Sequence, residues 1–440
     1  MEFKEFKIKN VASLVTDYVA NGSFKSLKEN VFVNEQPDFA VLIRLVDYNN
    51  NFNGPFKYID EKSYNFLSKT KLFGGEIIIS NVGANAGTVF KAPLLKCNMT
   101  LAPNSILVKF NGDNDYFYYY LKSKLGQHKL KSILSGSAQP KFNKTDFKNL
   151  EIEVPDEYNQ YKIGKSLKII DSKIEINKKI IANLEELSKT LFKRWFVDFE
   201  FPDENGNPYK SSGGEMIDSE LGNIPRDWEV NELGNYVDII KGLSYKGAFL
   251  DKQHERSDSF PLLSISNFNF ISGFKSNKTK YYFGDYKERH LVNPGDILIA
   301  ATDLTQDRKI LGAPAIIPNL NKTMIFSLDV FKITETTIPK YVLYFLLQSA
   351  KYREFVEGSA TGTTVIRIAK NVILKVPIVI DKDISLKFDN LIKPYMEKIE
   401  HLSQENQKLT QLRDTLLPKL MSGEIEIPDD IEVNEDELSI

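Results

Sequence analysis

The side chains best able to do chemistry are scattered along this chain rather than clustered. Gly164-Lys165-Ser166 imitates the end of a phosphate-binding loop, in which backbone amides cradle phosphates and a lysine reaches the terminal one. The earlier glycine of that motif would fall at Asn159, and the segment enters a helical pattern without the loop the motif needs, so it reads as helix surface. Asp156, Asp171 and Lys173 offer the carboxylates and amine of a metal-dependent nuclease, but such carboxylates must converge on one ion and these are strung along one rod. His128, His254, His290 and His401 are isolated, and Cys97 is the only cysteine, so no zinc site is legible. A single cysteine also excludes an internal disulfide, which fits a reducing compartment. Tyr118-Tyr119-Tyr120 could stack on bases, yet in an apolar helical stretch the run reads as core.

The element on which everything else must be arranged is Ile163 to Trp195, where apolar residues recur at helical spacing without proline. Ile163, Leu167, Ile170, Ile174, Asn177, Ile181, Leu184, Leu187, Leu191 and Trp195 step by three and four, a seam that predicts one long helix seeking a partner helix. Its length is roughly 50 Å at about 1.5 Å per residue. The partner is in the same chain: an offset of 225 lands on Phe388, Ile392, Tyr395, Ile399, Leu402, Asn406, Leu409, Leu412, Leu416 and Leu420. Pro394 and Pro418 predict a shorter regular stretch in this second helix, because proline removes a helical hydrogen bond and crowds the preceding turn.

The duplication extends to the globular parts. Phe6 to Val15 matches Trp228 to Val237 at an offset of 222, Phe39 and Leu42 match Phe260 and Leu263 at 221, and GGEIIIS from Gly74 matches PGDILIA from Pro294 at 220. The alternation around Leu42 and Leu263 predicts half-buried strands. Gly136-Ser137-Ala138 matches Gly358-Ser359-Ala360, and Val154-Pro155 matches Val376-Pro377, both at 222. The resulting division is 1–155 as a first globular domain, 156–197 as a helix, 198–227 as a connector, 228–379 as a second globular domain, 380–422 as a second helix and 423–440 as an acidic tail. That tail dominates the formal charge of −2: from 424 onward there are eight acidic residues and no Lys or Arg, and without them the charge is +6. Residues 1–155 carry 20 basic against 15 acidic residues, a mild bias toward a polyanion. No apolar run reaches membrane-spanning length and no signal-peptide core is visible, which predicts a cytoplasmic protein.

Two diverged globular halves, each with a GSA segment and a long helix, and FKRWFVDFEFP closing the first helix, resemble the specificity subunit of type I restriction-modification systems. The resemblance covers nearly the whole chain. It implies an α+β fold: two similar α/β target recognition domains separated by two long helices in an antiparallel coiled coil, with an internal pseudo-two-fold duplication. It further implies binding of a bipartite double-stranded DNA target, one half-site per domain, and assembly with two methylation subunits and with restriction subunits. S-adenosylmethionine, ATP and Mg are then expected on those partners and no cofactor on this chain. Consistent with a non-catalytic role, the Pro-Pro turn of an adenine amino-methyltransferase is absent. A different class of reading is a coiled-coil scaffold whose globular halves bind other proteins.

For base edges and phosphates, long polar side chains on loops are the right chemistry. The loops after GGEIIIS and after the first GSA offer Asn81, Asn85, Gln139, Lys141, Asn143 and Lys144, and the corresponding loops of the second half offer Gln306, Arg308, Lys309, Thr363, Thr364 and Arg367. The two seam asparagines fix a register. If the helices run antiparallel, facing residue numbers sum to a constant, and only 583 among the constants that match the seams sets Asn177 opposite Asn406. A lone amide facing Leu or Ile would lose hydrogen bonds in a desolvated layer.

Overall fold

A computed structural model describes residues 1–254, 256–276, 278–305 and 307–428. The chain forms two compact units, one built from 1–177 with 404–440 and the other from 178–403. Both long helices pass from one unit into the other, the first over Glu157–Phe196 and the second over Lys382–Ser422.

In the first unit, Ala12–Asp17, Ser105–Phe110, Ile77–Ser80 and Val89–Lys91 form an antiparallel sheet in that spatial order. A five-stranded sheet, Val33–Asn34, Lys57–Ile59, Ala40–Ile43, Asn98–Leu101 and Lys71–Leu72, holds one parallel pair, Ala40–Ile43 with Asn98–Leu101. A short ladder pairs Lys4–Lys7 with Glu151–Val154.

The second unit repeats this plan. Val237–Lys241, Val330–Thr336, Ile297–Ala300 and Pro314–Ile316 form the antiparallel sheet. The mixed sheet again has one parallel pair, Phe260–Leu263 with Met324–Phe326, and Glu229–Glu232 pairs with Pro377–Ile380.

The observed frame corrects three of the expected matches. Glu151–Val154 corresponds to Pro377–Ile380, an offset of 226, and the helices Lys124–Ser132 and Ala350–Gly358 share that offset, each capped by a serine, Ser123 and Ser349. The frame of 222 is therefore four residues short at the GSA and Val-Pro segments, and the opening strands, Lys4–Lys7 and Glu229–Glu232, stand at 225. A slip of four keeps the inward and outward faces of a strand, so alternation alone could not expose it. Nor are the two central strands half-buried. Ala40–Ile43 is buried at every position, as befits a strand paired in parallel on one edge and covered on both faces.

The second helix continues through Pro394 and Pro418. Both rings lie on its exposed side, where water can take the carbonyl that a proline leaves without a donor. In the first unit its end joins the globular core: Leu420 and Met421 lie with Ile163 and Leu167 of the first helix among Ile8, Ile152 and Phe147. In the second unit Phe192, Trp195 and Phe196 of the first helix surround Phe388 of the second, inside a cluster that includes Trp228, Val342 and Ile378.

The helices are antiparallel within each unit, in the expected register. Asn177 is fully buried and donates to Asn406 Oδ1 at 3.0 Å and to Glu405 Oε2 at 2.8 Å. Nearby, Arg413 donates to Asp171 at 2.7 Å. In the second unit Trp195 meets Phe388 with ring centroids 5.6 Å apart, again a pair whose numbers sum to 583. Leu187 and Leu412 do not join the seam; they are exposed, and Ser188 is the buried residue of that turn.

The carboxylate and glycine motifs of the first helix have structural explanations. Gly164 sits where a Cβ would approach Asp113 Oδ1 to 2.2 Å and the Tyr116 amide to 2.6 Å, because Asp113 caps the helix Asn114–Lys122 by accepting from Tyr116 N. In the second unit the helix Lys340–Leu346 begins after Pro339, which has no capping side chain. There Asp389, at the place of Gly164 in the 225 frame, accepts from the Tyr341 amide at 2.7 Å. Asp171 accepts from the Tyr119 hydroxyl at 2.9 Å. The tyrosine run is core: Tyr119 and Tyr120 are buried, and burial pushes the Tyr120 phenol up to about 12.

Replacing Asn177 alone by leucine should destabilise the protein by about 1–2 kcal/mol, since Asn406 and Glu405 lose their donor. Replacing both Asn177 and Asn406 by leucine should restore or raise the melting temperature, at the cost of a less strictly defined helix register. Thermal unfolding followed by circular dichroism compares the three proteins; a double variant no more stable than the single one would contradict the pairing.

Candidate nucleic-acid interface

Two loops converge at the tip of each unit, one following the central strand of the antiparallel sheet and one following the second of two short helices. In the first unit the strand Ile77–Ser80 runs into Asn81, whose carbonyl accepts from Phe142 N at 3.1 Å and whose Nδ2 donates to Phe142 O at 2.9 Å. Gly83 N donates to Pro140 O at 2.8 Å, and Val82 bridges Lys141. The second loop is itself a tight hairpin, with Ser135 and Lys141 exchanging backbone hydrogen bonds at 2.8 and 2.9 Å. Gly136 turns its corner at φ +88°, with Gln139 O only 3.0 Å from where a Cβ would lie, a conformation that favours glycine.

The second unit builds the same tip. Thr302–Asp303 pairs antiparallel with Ile366–Arg367, and Thr361 and Arg367 exchange backbone hydrogen bonds at 3.0 and 2.8 Å. Gly362, at φ +103°, turns the hairpin with Val365 O at 2.3 Å from the position of a Cβ. Gly362 is thus the counterpart of Gly136, and Arg367 the counterpart of Lys141, both at 226.

The structure therefore brings the two predicted loops together in each half, but it gives the named side chains unequal freedom. Asn85, Gln139 and Lys141 are exposed in the first unit. Asn81 is half-buried and ties the loops together, Asn143 caps the helix Lys144–Asn149 by accepting from Asp146 N at 2.8 Å, and Lys144 pairs with Asp17 at 3.0 Å. In the second unit Thr363, Thr364 and Arg367 are exposed. Arg308 is half-buried and donates to Glu357 O at 2.6 Å, while Lys309 pairs with Asp307 at 3.2 Å and stands over the Phe270 ring. Gln306 lies outside the described residues.

Sequence reasoning passed over the residue that shapes the second tip. Asp303 is fully buried, and its carboxylate accepts from Thr305 N at 2.7 Å, Thr305 Oγ1 at 2.8 Å, Ile310 N at 2.7 Å and Leu311 N at 3.3 Å. It closes the loop from both ends, and the available signal was an aspartate two residues before a threonine, the pattern of a side chain that folds its own turn. Arg353 supports the far side by donating to Arg308 O at 2.9 Å and to Leu311 O. Among the described residues no group of three or more His, Cys, Asp or Glu is placed to hold a metal ion, and no helix is long and apolar enough to cross a membrane.

The same pair of hydrogen-bonded loops thus recurs on a repeated α+β frame. Residues 1–186 match the family described as type I restriction modification DNA specificity domain. The chain is 29% identical over 328 residues to the type I restriction enzyme MjaIX specificity subunit of Methanocaldococcus jannaschii, covering 73% of this chain and 72% of that protein. It is 22% identical over 434 residues to the type I restriction enzyme HindI specificity subunit of Haemophilus influenzae, covering 85% and 84%. Its fold is shared with the crystal structure of a type I restriction-modification S subunit from M. genitalium, at a TM-score of 0.59 and 15% identity over 98% of this chain and 97% of that one. These matches support a specificity subunit of a type I restriction-modification system.

Removing the Asp303 carboxylate should loosen the second tip without disturbing the first. Asp303→Ala leaves backbone donors without a buried acceptor, and about 2–4 kcal/mol of stability should be lost. Hydrogen exchange should quicken at Thr305, Ile310 and Leu311 while Gly83 and Phe142 stay protected; equal quickening at both tips would contradict the assignment.

Proposed function

We propose that this chain is the non-catalytic DNA-reading subunit of a type I restriction-modification complex, and that it works in the cytoplasm. Each globular domain reads one half of a bipartite double-stranded target. The observation that carries this reading is the repeated tip, where the same backbone hairpin presents Gln139 and Lys141 in one domain and Thr364 and Arg367 in the other. Arginine and lysine suit guanine or phosphate, and amides suit adenine. Different side chains on one frame would give unequal half-sites.

Two methylation subunits fit a second repetition. Tyr161 and Leu386 occupy equivalent positions in the 225 frame, as do Leu187 and Leu412, and all four are exposed on the long helices. One pair of each kind, Tyr161 with Leu412 and Leu386 with Leu187, belongs to each unit. Apolar side chains left exposed at duplicated places suit two copies of one partner. Those subunits and the restriction subunits would bring S-adenosylmethionine, ATP and Mg, leaving this chain to bind and position.

The test is a base-resolution methylome of a host expressing the complex. Exchanging residues 1–155 for those of another specificity subunit should change one half of the methylated motif and leave the other. A change in both halves, or in neither, would sink independent reading.

Adding one heptad to both helices lengthens each by about 10 Å, and the gap between half-sites should widen by roughly three base pairs. The half-sites themselves should persist in the methylome. An unchanged gap would deny the helices their role in spacing.

A further inference from the structure

In the second tip the hairpin presents Thr364 and Arg367, and the loop that faces it projects a hydrocarbon. Leu304 is 65% exposed. It follows the Thr302–Asp303 strand directly, opposite the hairpin that carries Thr364 and Arg367. Single exposed leucines are common on protein surfaces, so exposure alone says little. Three further observations separate this one.

First, Leu304 is held. Its neighbour Asp303 anchors the loop through four hydrogen bonds from both ends, so the isobutyl group is presented from a fixed backbone. Second, polar groups of the same loop have partners within the chain: the Thr305 hydroxyl with Asp303, Arg308 with Glu357 O, and Lys309 with Asp307 in an exposed ion pair. Third, the matching stretch of the first domain, Val82-Gly83-Ala84, carries no exposed branched side chain, since Val82 is half-buried; the exposed apolar group beside it, Phe24, comes from a different segment and lines a cavity with Asn81 and Val82.

A rigid apolar group on a loop facing base edges has one natural partner in the major groove. The 5-methyl group of thymine is the only apolar feature there, and it distinguishes thymine from cytosine and from uracil. We propose that Leu304 is a specificity-determining residue that contacts the 5-methyl group of a thymine in the second half-site. This rests on the DNA-reading function argued above and adds to it the base that the second domain selects and the contact that selects it.

The experiment uses the complex of this chain with its methylation subunits, on the target that its methylome defines. Each thymine of the second half-site is replaced in turn by deoxyuridine, which differs only by the methyl group, and binding is measured by competition. At one position the wild-type complex should weaken about fourfold, the worth of one methyl-sized apolar group removed from water. The Leu304→Ala complex should bind thymine and deoxyuridine equally at that position, while deoxyuridine in the first half-site should affect both complexes alike. Leu304→Met, which keeps an apolar side chain of similar length, should retain most of the discrimination.

A second half-site without thymine, or equal binding of thymine and deoxyuridine throughout by the wild type, overturns the assignment while leaving sequence-specific binding intact. Undiminished discrimination in Leu304→Ala overturns it as well. Failure of the DNA-reading function itself would look different: no methylated bipartite motif, and no preference for any sequence over random duplex.

Discussion

Neither globular part owns a closed hydrophobic core, and that constraint governs the rest of the molecule. The first core is completed by Ile163 and Leu167 from one long helix and by Leu420 and Met421 from the other. The second is completed by Phe192, Trp195 and Phe196 from the first helix and by Phe388 and Ile392 from the second. Burying such a side chain is worth about 1.5–3 kcal/mol, so several together make each helix end part of its domain. This is why the compact units are discontinuous in sequence, each joining a globular part to one stretch of each helix.

Once the helix ends are fixed by their cores, the helices still need a register, and apolar layers alone supply several. The buried asparagine resolves the choice in the first unit. Asn177 gives its amide protons to Asn406 and Glu405 from a fully buried position. A shift by one heptad would part the two amides and set Asn406 against Ile170 or Leu184, which costs more than the layers would gain. Trp195 against Phe388 then satisfies the same register in the second unit through packing alone.

Much of this was legible in the sequence because it is periodic. The long helix, its partner, their antiparallel register and the role of Asn177 follow from residues three and four apart over many turns. What was not legible depends on single contacts. Pro394 and Pro418 are harmless because their rings face outward, and no periodicity announces which way a proline points. The frame of 222 failed because Gly-Ser-Ala and Val-Pro recur by chance near their true counterparts, four residues away. Among the polar loop residues, chemistry could nominate Asn143 and Lys144 for a ligand, whereas the fold uses one as a cap and the other in an ion pair. A capping asparagine and a base-reading asparagine look alike until the neighbouring amide is placed.

The two copies also show where divergence is cheap. Inside the cores a change must be compensated: Gly164 admits the Asp113 cap in one unit, and Asp389 in the same frame supplies the cap in the other because Pro339 cannot. In the hairpin loop of each tip no such compensation is needed. The hairpins are closed by backbone hydrogen bonds, Ser135 with Lys141 and Thr361 with Arg367, and cornered by glycines at positive φ. Their shape therefore does not depend on the side chains of Lys141 or Arg367, which remain exposed. A frame whose geometry is set by backbone and glycine can exchange its projecting side chains at little cost in stability. That separation of shape from side-chain identity would suit the DNA reading proposed above, because it places the freedom to change where the fold is left intact.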